Sequence, residues 1–212
     1  MILETRAVAP FYKNGFVLGC ERTRAAVVID PGDDVEQLID AVRQHGLAVT
    51  QILLTHAHFD HITGVGAAKD AFTAPVYLHR DDLPLYRFAA QQGRMFGIEV
   101  TQPPDPDRFY DSDPITFGEQ TVRVHHTPGH CPGGVCLQIG DHLFVGDTLF
   151  AAGIGRTDLP GADYETLMRS IIDVLFALGD DAIVHPGHGA ETTIGHERRT
   201  NPFVLEYLER RA

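Results

Sequence analysis

The chain has 212 residues, 43% of them hydrophobic and 22% charged, with a formal net charge of -12 and a pI near 5.3. This is globular composition, sufficient for a full core, and it reads as one domain spanning 1–212. The acidity excludes the basic footprint that tracks phosphate backbones, so nucleic acid is not an expected partner. A membrane is not expected either, because no apolar run approaches the roughly 18 residues that spanning a bilayer requires.

Taken in chain order, "RAAVVIDPGDD" at 24–34 predicts a buried strand closed by a Pro-Gly turn. In the next stretch Val35, Leu38, Ile39 and Val42 follow helical spacing up to Gly46. "QILLT" predicts the following strand, and "THAHFDH" at 55–61 lies just past its carboxyl end, where α/β folds place ligands. "ITGVGAAKDAF" predicts a helix, "APVYLH" a short strand, and "DDLPLYRFAAQQ" a helix capped by Asp81 or Asp82 ahead of Pro84. Residues 93–113 read as Pro- and Asp-rich connection, with Asp105, Asp107, Asp111 and Asp113 as a solvated acidic run.

In the second half, "QTVRVHHT", "GVCLQIG" and "HLFVGDT" predict consecutive strands, the last two joined by a Gly140-Asp141 turn. "ADYETLMRSIIDVLFALG" places Leu167, Ile171, Val174, Leu175 and Leu178 on one helical face, and "DAIVHPGHG" predicts a strand running into a second His loop. Strand, helix, strand and histidine therefore occur twice in that order. Two sheets face to face with helices outside would make the ligand-bearing strand ends converge.

The three cysteines, Cys20, Cys131 and Cys136, are too few for a disulfide framework and suit a reducing compartment. The N-terminal "MILETRAVAPFYKNGF" lacks the pattern of a secretory signal, and a cytoplasmic location is expected. The oligomeric state is not legible.

Three histidines and a carboxylate within 55–61 call for a divalent metal, since imidazoles packed without one would be costly to bury. His56 and His58 project to one side of an extended segment, while Asp60 and His61 open the next helix and can serve a second position. Three further strand-end loops offer ligands: "TPGHCPGG" with His130, "VGDT" with Asp147 and "HPGHG" with His188. Two metals so held would lower the pKa of a shared water and supply hydroxide near neutral pH, with no protein nucleophile. The serines, Ser112 and Ser170, lie in no nucleophile-elbow motif. Cys131 reads as a small residue filling a tight turn, His185 as a packed or ligand-orienting histidine, and Asp30 as a turn residue or a partner of a ligand histidine. His45, His79, His125, His126 and His142 read as structural.

Taken together, H-x-H-x-D-H at 56–61, G-H at 129–130, G-D at 146–147 and P-G-H at 186–188 resemble the metal signature of the metallo-β-lactamase superfamily. "ILLTHAHFDH", "GDTLFAAGIGRTDLPGAD" and "HPGHGAETTIGHERRTNPF" are most similar to glyoxalase-II-like thioester hydrolases of the short, single-domain bacterial type. The resemblance implies an α/β fold, an αββα four-layer sandwich of two facing mixed sheets. It implies His56, His58 and His130 on one metal, Asp60, His61 and His188 on the other, and Asp147 bridging both, with Asp60 also holding the hydroxide. Two divalent ions are expected, zinc first, with iron and manganese also suited to the donors. The expected substrate is a small-molecule thioester. Arg156 matches the basic residue that holds glutathione in full-length relatives, but Asp158 and Leu137 stand where two tyrosines would be, and no C-terminal helical domain follows. Alternatives on the same resemblance are a mononuclear iron persulfide dioxygenase, which shares "GRTD" and an "ER…NP" tail but carries "PAHD" in place of "PGHG", and a metal-binding protein without catalysis.

Overall fold

In the computed structural model, which describes residues 1–110 and 115–211, the chain forms two compact units, Met1–Val122 and Arg123–Ala212. Asp111, Ser112 and Asp113 lie outside the described residues. The first unit opens with strands β1 (Ile2–Val8) and β2 (Lys13–Gly19), an antiparallel hairpin that the sequence reading did not predict. β2 is buried along its whole length, so "KNGFVLG" lacks the apolar-polar alternation that marks a half-exposed strand.

β3 (Ala25–Ile29), helix α1 (Val35–Gln44) and β4 (Ala48–Leu53) follow the predicted order, and β3 pairs with β4 in parallel. The helix buries Val35, Leu38, Ile39, Ala41 and Val42, the stripe its spacing predicts. Next come α2 (Phe59–Ile62), α3 (Val65–Phe72) and β5 (Val76–Leu78), then a 3₁₀ turn at Arg80–Asp82 leading into α4 (Leu83–Tyr86) and α5 (Ala89–Met95). The predicted single helix is thus broken into pieces. β6 (Arg108–Phe109) completes a mixed sheet in the order β1-β2-β3-β4-β5-β6. Asp107 is more than a solvated acid: it pairs with Lys69 at 2.8 Å and accepts the Val76 N–H at 2.9 Å, which fixes the approach to β5. Asp105 pairs with Arg87 at 2.6 Å. A hairpin of β7 (Ile115–Phe117) and the start of β8 (Gln120–His126) ends this unit.

In the second unit the remainder of β8 pairs with β9 (Val135–Ile139), which pairs with β10 (His142–Gly146), both antiparallel. A small hairpin, β11 (Leu149–Phe150) and β12 (Gly153–Ile154), precedes α6 (Tyr164–Arg169), which continues through a π-type turn at Ser170–Val174 and a 3₁₀ turn at Leu175–Leu178. Asp163 caps α6 by accepting the Thr166 N–H at 2.8 Å. β13 (Ile183–Pro186) then pairs in parallel with β10, so the second strand-helix-strand module also forms as predicted. β14 (Thr192–Thr193), α7 (Ile194–Thr200) and α8 (Pro202–Glu209) close the chain. The sequence reading assigned no elements there, although Asn201 followed by Pro202 is a helix-start pair, and the Asn201 side chain accepts from Phe203 and Val204 N–H. Each unit has its own apolar core, one built on Ile52, Leu54, Ile62, Val76 and Leu78, the other on Leu143, Val145, Leu167, Ile171 and Val184. Among the described residues no helix is long and apolar enough to cross a membrane.

Candidate metal centre

In the first unit His56 and His61 are oriented by one carboxylate. Asp30 follows β3 with φ of +48°, in the left-handed region, and its side chain is fully buried. That conformation turns the carboxylate toward the His loop, where it accepts the Thr55 N–H at 2.7 Å, the Thr55 hydroxyl at 2.5 Å and His61 Nδ1 at 2.9 Å. An ionised carboxylate only accepts, so His61 carries its proton on Nδ1. The Thr55 hydroxyl has a single proton, committed to Asp30, and therefore accepts from His56 Nδ1, 3.0 Å away. The network assigns both imidazoles the tautomer with an Nε2 lone pair, the form that ligates metals. The His56 ring lies 4.9 Å from that of His58 and 4.0 Å from that of His61, and His61 Nε2 is 3.9 Å from an Asp60 carboxylate oxygen. Asp30, expected as either a turn residue or a partner of a ligand histidine, stands at the turn and bonds to the candidate ligand His61.

Two residues to which the sequence reading gave no role at this loop hold its backbone. Asp82, expected to cap a helix, makes no such bond; its buried carboxylate accepts the Ala57 N–H at 2.9 Å. Gln92 accepts the Phe59 N–H at 3.2 Å and donates to the Ala57 carbonyl at 3.1 Å. Both approach the loop from distant sequence, and no local pattern marks them. Gly32 is required by contact: a Cβ there would sit 2.0 Å from the Asp60 carbonyl oxygen.

In the second unit the ligand candidates gather on Asp147, just past β10. One of its oxygens, Oδ2, lies 3.7 Å from His130 Nε2 and 3.6 Å from His188 Nε2. Both distances are long for direct hydrogen bonds and suit donor atoms that share an ion. His130 donates from Nδ1 to the Arg156 carbonyl at 2.8 Å, which again sets the tautomer with the lone pair on Nε2. The loop reaches this position because Gly155 allows close approach; a Cβ there would lie 1.9 Å from the Asp147 carbonyl oxygen. Gly187 N–H donates to the Gly146 carbonyl at 2.8 Å and ties the His188 loop to the end of β10.

The Arg156 side chain is exposed and paired with Asp158 through two 2.9 Å contacts, so its contribution to the described site is made by its carbonyl. Leu137 is fully buried in β9. Cys131 is buried and its carbonyl accepts the Gly129 N–H, as expected of a turn residue. Ser170 donates to the Pro128 carbonyl at 2.6 Å, a structural role. His125 and His126 likewise bond to Gln138 and to the Pro132 carbonyl.

His185 stacks on Phe144 with ring centroids 4.7 Å apart and contacts His142 Nδ1 through Nε2 at 2.8 Å and Glu191 through Nδ1 at 3.2 Å. Burial lowers its pKa to about 4, opposed by Glu191 and reinforced by His142. A histidine with a lowered folded pKa contributes stability that is present above its unfolded value of 6.5 and lost as pH falls toward 4. His185→Gln should therefore flatten the acid limb of stability between those values. Urea midpoints across that range should show the wild type losing up to about 3 kcal/mol more than the variant.

With this geometry established, comparison with known proteins gives the following. The model of the metallo-beta-lactamase superfamily matches residues 9–188, a span that contains all seven ligand candidates. A hydroxyacylglutathione hydrolase, GloC, of Haemophilus influenzae is 36% identical over 96% of this chain and 98% of that protein. The crystal structure of the B3 metallo-beta-lactamase BLEG-1 superimposes with a TM-score of 0.89 at 39% identity, covering 96% of this chain and 99% of that one. TTHA1623, whose structure was determined in a di-iron-bound form, gives a TM-score of 0.86 at 42% identity, covering 94% of this chain and 99% of that one. The two mixed sheets with their helices are those of the metallo-β-lactamase fold, as expected from the sequence.

Proposed function

Because the chain belongs to the metallo-beta-lactamase superfamily of metallo-hydrolases, we propose that it hydrolyses small-molecule thioesters at a dinuclear metal centre. In this reading His56, His58 and His130 hold one divalent ion, Asp60, His61 and His188 hold the other, and Asp147 serves both. The observation that carries it is the position of Asp147 Oδ2, almost equally distant from His130 Nε2 and His188 Nε2, which are assigned to different ions. The donor set suits zinc or iron, and a di-iron form of a 42% identical protein supports the second.

When bound, two such ions supply a water of lowered pKa and polarise an acyl carbonyl. The chain's part is positional. Asp30, directly and through Thr55, orients His61 and His56 with the proton on Nδ1 and Nε2 turned away from that contact, and the Arg156 carbonyl does the same for His130. Asp60, only partly buried, would accept a hydrogen bond from such a water and orient it. A thiolate leaves without obligatory protonation, so thioesters need no general acid, and none of the residues described above is placed as one.

Likeness to GloC makes an acylglutathione the first substrate to test, yet the contacts available to the thiol part are few. Arg156 is engaged by Asp158 and Leu137 is buried, so discrimination among thiols should be shallow. Arg156→Ala should raise KM roughly threefold, as for loss of one exposed charge contact, and leave kcat nearly unchanged. The deciding assay presents one preparation with lactoyl-glutathione, lactoyl esters of other small thiols, glutathione persulfide with oxygen, and a chromogenic β-lactam. Hydrolysis of several thioesters within about a hundredfold of one another supports the proposal. Oxygen uptake with persulfide, or β-lactam turnover with inert thioesters, overturns it.

A further inference from the structure

We propose that Lys13 and Asp34, a buried ion pair outside the ligand set, are positioning residues for the His61 side of the metal centre. The inference rests on the dinuclear reading for its metal readout and on this structure for its geometry. Lys13 opens β2 and is 3% exposed, and the Asp34 side chain, at the start of α1, is fully buried. Lys13 Nζ donates to both Asp34 carboxylate oxygens, at 3.0 and 3.1 Å, and also to the main-chain carbonyl of Asp30. Asp34 in turn accepts the Gly32 N–H at 3.0 Å. The pair thus grips the Asp30-Pro31-Gly32 turn at both ends.

That turn reaches the ligands along two paths. The carboxylate of Asp30 holds His61 Nδ1 and, through Thr55, His56 Nδ1. Asp30 does so from a left-handed backbone that residues other than glycine adopt infrequently, so contacts that hold it there matter. Lys13 binds the carbonyl of that same residue. Along the second path, Gly32 is packed between the Lys13 stem and the Asp60 backbone: a Cβ at Gly32 would lie 2.8 Å from Lys13 Cε and 2.0 Å from the Asp60 carbonyl oxygen. Lys13, Asp34 and Asp60 also line one small cavity. An ion pair this deep is a poor device for stability alone, since desolvation of both charges offsets most of their attraction. Its position behind both Asp30 and Asp60 gives it a directional task.

The test uses the full-length protein and three variants, Lys13→Met, Lys13→Met/Asp34→Asn, and Asp40→Asn as a control for loss of an exposed acid on α1. The single Lys13 variant leaves a buried charge unpaired and is expected to lose stability. The double variant removes both charges with little change of shape and is expected to unfold near the wild-type midpoint. Zinc affinity is measured against a chelator, and the His61 tautomer is read from long-range 15N shifts in the protein without added metal. The expected result is that the double variant, although stable, binds one of its two zinc ions roughly 10- to 100-fold more weakly, and that His61 loses its single Nδ1-protonated form. The Asp40 control should change neither. A double variant with wild-type zinc affinity and an unaltered His61 tautomer would show the pair to be structural only and overturn the inference. If the wild-type protein binds fewer than two zinc ions, the dinuclear reading fails, and the tautomer measurement alone then decides the role of Lys13 and Asp34.

Discussion

Asp147→Ala should leave a folded protein that retains little of either metal, with kcat/KM for thioester hydrolysis reduced by a thousandfold or more. One oxygen of this carboxylate lies within 3.7 Å of both His130 Nε2 and His188 Nε2. If it serves both ions as proposed, its loss would remove a ligand from each, and the charge stabilisation a metal supplies is several kcal/mol, which converts to about three powers of ten in rate. The local fold should survive, because the backbone there is held by Gly187 N–H on the Gly146 carbonyl and by the close fit of Gly155, neither of which involves the side chain. Metal content by elemental analysis, with circular dichroism as the folding control, checks this result. Loss of only one equivalent would assign Asp147 to a single ion.

The second large effect is expected at Asp30. Asp30→Ala leaves three buried donors, Thr55 N–H, the Thr55 hydroxyl and His61 Nδ1–H, without their acceptor. Each unsatisfied buried donor costs roughly 1–3 kcal/mol, so a loss of several kcal/mol is expected, a fall in Tm on the order of 10 °C or more for a chain of this size. The imidazoles of His56 and His61 would also lose the group that fixes their tautomers, and affinity for metal should drop roughly 10- to 100-fold. Calorimetry and a chelator titration measure the two effects separately. A variant that melts near the wild type would show that the Asp30 network is not the support described.

How far the sequence reveals this molecule differs by element. The two strand-helix-strand modules were legible because α1 and the helix at 164–178 are amphipathic and the strands are continuous apolar runs bounded by Gly and Pro, all local signals. The first hairpin was not, because β2 is buried on both faces and carries no alternation. The ligand candidates were legible as clustered histidines at strand ends. Their supports were not: Asp82 and Gln92 act on Ala57 and Phe59 from 25 to 35 residues away, and a sequence shows such acids and amides only as surface or capping residues. His185 shows the same limit from the other side. The sequence left it as either a packed residue or one that orients His188, and its described partners Phe144, His142 and Glu191, from the adjoining strand and the following loop, are invisible to local pattern.

A paired metal centre is countable by native mass spectrometry of the full-length protein after growth with adequate zinc and iron. The expected spectrum has a dominant species carrying two metal ions per chain, with both lost together in Asp147→Ala. A dominant species carrying one iron, unchanged by His188→Ala, would contradict it and move the mononuclear oxidoreductase reading ahead.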